Sequence, residues 1–448
     1  MERYYDPEIF LKMLDGIDLD NHVVSSYYLR DTLEGQKLLD HFALVQAMSL
    51  EGSTGTWEKV EEDTKEVRNA LSSKMVGYHE IPTPGDPYTK SAVVQLAFPI
   101  QAWGDNVPMM LLAIAGNCFA YSKNIMLTDL FIGKSLLKCF KGPKFGVQGV
   151  RELTGVPERP LSLHIIKPKM GMTPEQTANQ VAQTVAGGAD MCKDDEMTAD
   201  VYNSKMEDRL IKVMEVINRA ADKTGRKMIY LCSITDEPAK MRDRAKRAVE
   251  LGANGLLVAY SAGLGALREL TSDPDINVPV MLHASHMIAM MKQIAWPVLA
   301  KLCRLCGADL MLTPTMWSSI PMVSMEEGIR TSFSQLAPWQ HIKPTFAMPC
   351  AGVYPGLAEV IIGEYGPDIV IPAGGGMLGH PDGYTAGAQA WQQAIAAVMA
   401  DIPLPEAARR PQNMALHRAL EKWGYMERPK APWLRLAPDY QPKPMKFD

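Results

Sequence analysis

Eight short apolar runs between residues 161 and 376 are the feature that most limits what this chain can fold into. Each run is followed by Gly, Pro or polar residues and then by an amphipathic stretch, and apolar strands that alternate with helices predict a parallel sheet covered on both faces. Eight such units match a (β/α)8 TIM barrel, which takes about 250 residues, and this count favours the barrel over a doubly wound open sheet. The runs are LSLHIIK (161–167), ADMCK (189–193), KMIYLCSI (227–234), GLLVAY (255–260), VPVMLHA (278–284), ADLMLT (308–313), KPTFAMP (343–349) and DIVIPAGGG (368–376).

The residues before the first run do not show this alternation. Two β-rich segments, His22 to Leu29 and Ser91 to Ile100, flank a stretch from Leu33 to Met48 with helical spacing of its apolar residues. We therefore predict an α/β protein with an N-terminal α+β domain over residues 1–150 and a barrel domain over residues 151–448. The barrel domain ends in a Pro-rich tail that carries one short helical segment.

Composition and charge exclude several classes of protein. The chain has 46 Lys and Arg against 51 Asp and Glu, a net charge of −5, so it lacks the basic surface of a nucleic-acid-binding protein. Seven Cys, an odd number, do not form a disulfide framework and suit a reducing compartment. The longest apolar run, Met109 to Ala115, is far shorter than the roughly 20 residues of a membrane-spanning helix. We expect a cytoplasmic protein without a membrane or nucleic-acid partner.

Lysines and carboxylates gather at the predicted carboxyl ends of the first two barrel strands, where TIM barrels place their chemistry. Lys167 and Lys169 follow the first run, and Lys193 to Glu196 (KDDE) follow the second. Crowded carboxylates need a cation or another counter-charge, and oxygen ligands of this kind suit Mg2+. A KDDE run alone is typical of a solvated loop, but its position at a strand end beside two more lysines supports a metal site equally well.

Glycines and histidines at other strand ends extend this pattern. The run Gly374 to Gly376 fits a phosphate site, where backbone N–H groups approach an anion closely, although glycines also form plain turns. His283 and His286 follow the fifth run, whereas the Cys303–Cys306 pair in the helix before the sixth is interpreted as packing. A metal, a phosphorylated substrate and a lysine base would suit removal of a proton next to a carbonyl and stabilisation of the enediolate.

Five separated segments resemble the large subunit of ribulose-bisphosphate carboxylase (RuBisCO). They are EGSTGTW (51–57), AGN (115–117), IIKPKMG (165–171), GGADMCKDDE (187–196) and GGGMLGHPDG (374–383). Their order along nearly the whole chain is that of the family. The resemblance implies an α+β domain followed by a barrel, and a homodimer or dimer-based oligomer whose active sites lie between subunits.

The resemblance also implies roles for individual residues. Lys193 is similar to the lysine that CO2 converts to a carbamate, and Asp195 and Glu196 to the carboxylates that bind Mg2+ with it. Lys167 resembles the base that removes the substrate's proton, and Lys169 resembles the lysine next to that base. His283 is a candidate polar or proton-transfer partner near the substrate. Residues that the partner subunit contributes are matched by Glu51, Thr56, Trp57 and Asn117. The phosphate-binding positions are matched by Cys350, Gly375 and Gly376.

Departures from the family pattern bear on the reaction. Carboxylases carry a mobile loop after strand 6 whose lysine closes over the site, but residues 313–325 contain no lysine and Ser319 stands near its position. The arginine that grips a second phosphate is replaced by Ala284, the histidine at the end of strand 6 by Leu312, and a glycine after strand 7 by Ala351. These changes indicate a RuBisCO-like protein that keeps the enolisation residues without productive CO2 fixation.

Four functions follow from this pattern, in order of preference. The first is a lyase that decarboxylates a phosphorylated β-keto sugar acid, since loss of CO2 also leaves an enediolate. The second is an isomerase or enolase that acts on a methylthio-pentulose phosphate in sulfur salvage. A true ribulose-bisphosphate carboxylase and a non-catalytic regulatory relative remain as further alternatives.

Overall fold

A computed structural model describes residues 14–32, 41–55, 58, 60–86, 88–122, 124–428 and 443–447. Its contacts divide the chain into two compact units. The first unit comprises the residues up to Lys141 together with 287–302, and the second comprises 142–286 and the residues from Cys303 onward. No helix within the described ranges is both long and apolar enough to cross a bilayer.

The first unit contains a four-stranded antiparallel sheet in the order β2-β3-β1-β4. Its strands are β1 (His22–Thr32), β2 (Lys74–Ile81), β3 (Thr89–Pro99) and β4 (Ile125–Ile132). The predicted strands β1 and β3 pair along their whole length, from His22 opposite Pro99 to Thr32 opposite Thr89. The helices among the first 141 residues are α1 (His41–Glu51), α2 (Lys65–Leu71), α3 (Val107–Ala115) and α4 (Lys134–Leu137). Residues 33–40 of the predicted helix lie outside the described residues.

The second unit contains an eight-stranded parallel sheet, and all eight predicted runs form its strands. They are β5 (Leu161–Ile165), β6 (Met191–Lys193), β7 (Ile229–Ser233), β8 (Leu256–Ala259), β9 (Val280–His283), β10 (Leu310–Pro314), β11 (Phe346–Cys350) and β12 (Val370–Ala373). The last strand, β12, pairs with the first, β5. A parallel bridge between Ala347 and Ile369 joins β11 to the segment that leads into β12. The sheet therefore closes into a barrel, as predicted, and is not a doubly wound open sheet.

Helices follow the barrel strands for reasons visible in the sequence. Thr173 caps the helix after β5: its hydroxyl accepts a hydrogen bond from the N–H of Gln176, and the Gln176 side chain accepts one from the N–H of Thr173. The remaining helices are α5 (Gly146–Thr154), α6 (Pro174–Ala186), α7 (Met206–Thr224), α8 (Pro238–Glu250), α9 (Leu264–Ser272), α10 (Met287–Met290), α11 (Trp296–Leu305), α12 (Met325–Leu336), α13 (Ala358–Tyr365), α14 (Gly375–Leu378), α15 (Gly383–Met399), α16 (Leu404–Ala408) and α17 (Met414–Trp423). The last of these, α17, is the helical segment predicted in the Pro-rich tail.

Candidate active site

Lys193 is the last residue of β6, and its side chain is 1% exposed. Its Nζ donates to the carbonyl oxygen of Asp194 at 2.8 Å and lies 3.9 Å from Oε2 of Glu196. Burial lowers the pKa of Lys193 from its ordinary value to about 8, although Glu196 and Asp195 oppose that effect. An amine with a lowered pKa is neutral more often, and the neutral amine is the form that reacts with CO2.

The two lysines that follow β5 reach across to the carboxylates that follow β6. Nζ of Lys167 donates to Oδ2 of Asp195, which is fully buried. Nζ of Lys169 donates to Oε1 of Glu196 at 2.9 Å and lies 4.0 Å from Oδ1 of Asp195. The hydrogen bond that Lys169 donates to Glu196 raises the pKa of Lys169, so this lysine is held as an ammonium group. The two strand ends therefore form one cluster of alternating charge.

His283, the last residue of β9, completes this cluster on the opposite side of Glu196. Its Nε2 lies 3.2 Å from Oε2 of Glu196, and its Nδ1 is buried with no hydrogen-bond partner among the described residues. Burial, and then the nearby Lys193, lower the pKa of His283 well below its ordinary value, so the ring is neutral. A neutral ring that donates from Nε2 to the carboxylate presents Nδ1 as an acceptor.

The strand register places these side chains on one face of the sheet. Lys193 pairs with Ile165 on one side and with Leu231 on the other, and paired residues of parallel strands point to the same face. Continuing across the sheet, Ser233 pairs with Leu257, which pairs with Met281, two residues before His283. Ser233 is two residues beyond Leu231, and His283 is two residues beyond Met281. Alternate residues of a strand point to the same face, so the side chains of Ser233 and His283 lie on the same face of the sheet as Lys193.

Asp194 differs from its two acidic neighbours, which the sequence alone did not reveal. Its carboxylate accepts hydrogen bonds from Arg209 Nη2 at 3.0 Å, from the Tyr230 hydroxyl at 2.6 Å and from the Ser233 N–H at 2.9 Å. Both Arg209 and Asp194 are fully buried. Arg209 offsets the charge of Asp194. Of the three carboxylates, a metal would therefore have only Asp195 and Glu196 to bind. An arginine among the apolar core positions of α7 was the signal available in the sequence.

The remaining N–H groups of Arg209 hold the segment that follows Glu196. They donate to the carbonyl oxygens of Thr198 at 3.0 Å, Ala199 at 2.8 Å and Ser204 at 2.8 Å. Arg209 therefore fixes the loop between β6 and α7 at several points. This loop carries the acidic residues of the cluster into position.

The glycine run after β12 lies beside Lys167. A Cβ atom built on Gly374 would be 3.4 Å from Cε of Lys167, whereas one built on Gly375 would meet nothing within 4 Å. Gly376 allows a close backbone approach, because a Cβ there would be 1.9 Å from the carbonyl oxygen of Val353. The glycine run thus begins α14 with an open approach at Gly375.

Cys350, the last residue of β11, is buried, and its Sγ lies 3.5 Å from the carbonyl oxygen of Thr313 on β10. Burial raises the pKa of its thiol to about 12, so it is not a thiolate nucleophile. The next residue, Ala351, has a φ of +88°, a conformation that an L side chain rarely adopts. Here β11 turns towards Gly352, whose carbonyl oxygen accepts the Ser319 N–H at 3.3 Å.

The predicted partner-contributed residues belong to the first unit. Oε1 of Glu51, at the end of α1, accepts from Nδ2 of Asn117 at 3.1 Å, and its Oε2 accepts from the Tyr121 hydroxyl at 3.1 Å. Sequence reasoning missed Tyr121. Thr56 and Trp57 lie outside the described residues. The first unit therefore brings Glu51 and Asn117 together.

A metal at the barrel cluster would depend on Lys193. In the described part of the chain, no three His, Cys, Asp or Glu side chains are grouped so that they could hold a metal ion. Asp195 and Glu196 supply carboxylate oxygens beside Lys193 Nζ, and a carbamate on this buried lysine would add the third anionic oxygen ligand. These residues fit Mg2+ when Lys193 is carbamylated.

Residues 16–136 match the family model "Ribulose bisphosphate carboxylase large chain, N-terminal domain", and residues 146–423 match the "catalytic domain" of the same chain. This chain belongs to the RuBisCO superfamily. The resemblance of five short segments is thereby extended over most of the sequence, and the RuBisCO-like fold predicted from it is confirmed.

Three relatives illustrate the range of activities around this RuBisCO-like chain. A "Ribulose bisphosphate carboxylase-like protein" of Archaeoglobus fulgidus is 37% identical over 86% of this chain and 89% of its own length. A "2,3-diketo-5-methylthiopentyl-1-phosphate enolase" of Bacillus velezensis is 31% identical over 91% of this chain and 99% of its own length. The structure of a dimeric archaeal RuBisCO from Hyperthermus butylicus has a TM-score of 0.78 and 30% identity, and covers 91% of this chain and 96% of its own. Identity is similar to the enolase and to the carboxylase, so it does not decide between their reactions.

Proposed function

We propose that this RuBisCO-like chain is a Mg2+-dependent enzyme that enolises a phosphorylated diketone of the 2,3-diketo-5-methylthiopentyl-1-phosphate type. The observation that carries the proposal is the meeting of Lys167, Lys169, Asp195 and Glu196 around the buried Lys193. This charge cluster stands at the carboxyl ends of barrel strands, where TIM barrels carry out catalysis. When bound by Asp195, Glu196 and carbamylated Lys193, Mg2+ would polarise the substrate's carbonyl group.

The half-buried Lys167 and the exposed Lys169 supply opposite halves of a proton transfer. A neutral lysine takes a proton from the carbon next to a carbonyl, and an ammonium returns a proton to the oxygen of the enolate, which leaves the enol. Lys169 is held as an ammonium by Glu196 and suits the donor role. Lys167, beside Asp195 and Gly374, is assigned as the base. His283 is assigned to hold Glu196 and to offer Nδ1 as an acceptor to the hydroxyl of the enol.

A phosphate group fits the end of β12. Gly375 leaves open space where a side chain would stand, and the first N–H groups of a helix have no partner within that helix. The site would thus hold one phosphate at Gly375 and Gly376, with Cys350 lining the adjacent strand end. Ala284, buried where the family carries an arginine, provides no charge for a second phosphate. A substrate with one phosphate and an uncharged opposite end suits this asymmetry.

Relatives shift the preference between the candidate reactions. The sequence favoured decarboxylation of a phosphorylated β-keto sugar acid, and that prediction stays open because loss of CO2 and removal of a proton next to a carbonyl both leave an enolate. The diketo phosphate enolase of Bacillus velezensis supports enolisation as the first choice. Carboxylation is not expected, because residues 313–325 carry no lysine to close over the site. We also propose a dimer, the state named for the RuBisCO of Hyperthermus butylicus.

Proton–deuterium exchange followed by NMR tests the proposal. The full chain, incubated with bicarbonate and Mg2+, should exchange the proton next to the carbonyl of 2,3-diketo-5-methylthiopentyl-1-phosphate and form its enol. Lys167→Met should slow the exchange by about a hundredfold or more, whereas Lys223→Met, at an exposed position of α7, should not change it.

Each alternative function predicts a different result. Release of CO2 from a phosphorylated β-keto acid without exchange on the diketone would favour the decarboxylase. Fixation of 14CO2 with ribulose bisphosphate would show a carboxylase. Metal binding that does not depend on bicarbonate, together with no turnover of either substrate, would contradict the enzymatic proposal and favour the non-catalytic relative.

A further inference from the structure

A buried hydroxyl on β7 faces the active-site cluster without a partner. Ser233 is 0% exposed, and its Oγ has no hydrogen-bond partner among the described residues. A buried hydroxyl that bonds to nothing costs free energy, so such a group requires an explanation. Its backbone is fixed, because the Ser233 N–H donates at 2.9 Å to the Asp194 carboxylate that Arg209 and Tyr230 also hold.

The strand register shows what this hydroxyl faces. Leu231 pairs with Lys193, and Ser233 lies two residues further on, so both side chains of β7 point to the same face as Lys193. On the other flank of Lys193 the paired residue of β5 is the apolar Ile165. Ser233 therefore offers a hydroxyl on the β7 side of Lys193, two residues nearer the carboxyl end of the strand than the paired Leu231. Lys193 Nζ and Ser233 are equally buried, at 1% and 0% exposure.

We propose that Ser233 is a positioning residue that donates a hydrogen bond to the carbamate formed on Lys193. This inference rests on the proposed function, since it assumes that Lys193 takes up CO2. In that reaction the neutral amine of Lys193 forms an N–C bond to CO2 and loses one proton to solvent, which leaves an anionic group with two oxygens. One oxygen is available as a ligand beside Asp195 and Glu196, and the other needs a donor in a buried site. The Ser233 hydroxyl supplies that donor, and it has no other hydrogen-bond partner within the described ranges of the chain.

The unpartnered state of Ser233 distinguishes this role from a structural one. A serine that stabilises the fold uses its hydroxyl in the fold, and its loss lowers stability. Replacement of Ser233 by alanine removes an unsatisfied group instead. We therefore expect Ser233→Ala to have an unchanged or higher melting temperature in the absence of CO2.

Carbamate formation is the direct measurement. The full-length chain is titrated with 13C-bicarbonate at fixed pH, with and without Mg2+, and the carbamate signal is followed by 13C NMR; Lys193→Met identifies the signal. Ser233→Ala should need about tenfold to a hundredfold more CO2 for half-saturation, because a hydrogen bond to a charged group is lost. Ser233→Thr, which keeps the hydroxyl, should stay close to the unchanged chain. Ser25→Ala, at a buried serine of β1 in the other unit, serves as the control.

The possible outcomes separate this inference from the proposed function. An unchanged half-saturation in Ser233→Ala, with a normal carbamate signal, would overturn the role of Ser233 and leave the metal site intact. An altered KM for substrate without a change in CO2 affinity would assign the hydroxyl to the substrate and likewise overturn the inference. Absence of a carbamate signal in the unchanged chain, with or without Mg2+, would overturn both.

Discussion

At the scale of single residues, Ala351 carries a backbone conformation that its side chain opposes. Its φ of +88° costs an L residue roughly 1–2 kcal/mol, whereas glycine adopts such angles freely. We expect Ala351→Gly to raise the free energy of unfolding by about 1 kcal/mol, because the strain energy that is relieved exceeds the entropy that the unfolded chain gains. Urea denaturation monitored by circular dichroism measures the change.

A second alanine on the same segment provides the matched control. Ala347 is buried within β11, where the conformation is extended. Ala347→Gly should lower the free energy of unfolding by about 1 kcal/mol. A loss of stability in both variants would show that the turn at Ala351 is not strained.

Asp309 is a residue whose charge state should make stability depend on pH. Burial raises the pKa of this carboxyl to about 6, although N–H groups of Phe145, Gly146 and Val280 donate to it at 2.7, 2.8 and 2.9 Å. A group whose pKa is higher in the folded state stabilises the fold at low pH, and this contribution is lost as pH rises from about 4 through 6. Between pH 4 and 7 the loss is roughly 2 kcal/mol.

The variant Asp309→Asn removes this titration. The difference in unfolding free energy between the unchanged chain and Asp309→Asn should therefore fall as pH rises over this interval. Denaturation at a series of pH values measures that difference, and Asp222→Asn, at an exposed position of α7, is the matched control substitution. A difference that grows with pH would mean that the three N–H donors outweigh burial.

At the scale of secondary-structure elements, Arg209 joins α7 to the end of β6. Its pair with Asp194 is buried at 0% exposure on both sides. Removal of one partner of such a pair leaves an uncompensated buried charge, so Arg209→Met should lower the free energy of unfolding by about 3–5 kcal/mol. The double variant Arg209→Met, Asp194→Asn should lose less than the sum of the single losses, measured as a double-mutant cycle.

The same helix offers a control for this prediction. Arg219 is exposed on α7, and Arg219→Met should change the unfolding free energy by no more than about 0.5 kcal/mol. Strictly additive losses of stability in the Arg209 and Asp194 variants would contradict the predicted coupling between these two residues.

Elements also show how far a sequence can predict this fold. The barrel strands were predictable because each is a short apolar run bounded by Gly, Pro or polar residues, and all eight predictions are confirmed. In the first unit β2 was missed, because its segment from Lys74 to Ile81 mixes apolar, charged and glycine residues. Long-range pairing with β3 decides its conformation, and local pattern does not report such pairing.

The candidate site likewise combines residues that could be predicted from the sequence with residues that could not. Strand ends are local features, so Lys167, Lys193 and His283 were placed at the site from sequence alone. The partner of Asp194 was not, since Arg209 is fifteen residues away and only the packing of α7 on the barrel brings them together. Charge balance in a buried cluster is a tertiary property, and sequence shows which charges are present without showing which are already paired.

At the scale of the whole molecule, the predicted active site draws on two parts of the chain. The lysines and carboxylates belong to the barrel unit, whereas Glu51, held by Asn117 and Tyr121, belongs to the first unit. The family resemblance predicts that Glu51 comes from the partner subunit. In that case, a dimer in which one chain carries a substitution in the barrel and the other carries a substitution at Glu51 still contains one site with both native residues.

Subunit mixing tests this arrangement. Lys193→Met and Glu51→Gln should each be inactive alone, but when the two chains are co-expressed and purified as hybrids, one of the two sites in each hybrid dimer contains both native residues. Because one of the two sites in each purified hybrid is intact, about half of the activity of the native dimer should return. Lys193→Met mixed with Lys167→Met is the matched control, since both lesions lie in the barrel and each site in every hybrid then carries one. Recovery in neither mixture would mean that Glu51 does not serve a neighbouring subunit's site, and equal recovery in both would mean that the regained activity does not come from Glu51 of the partner chain.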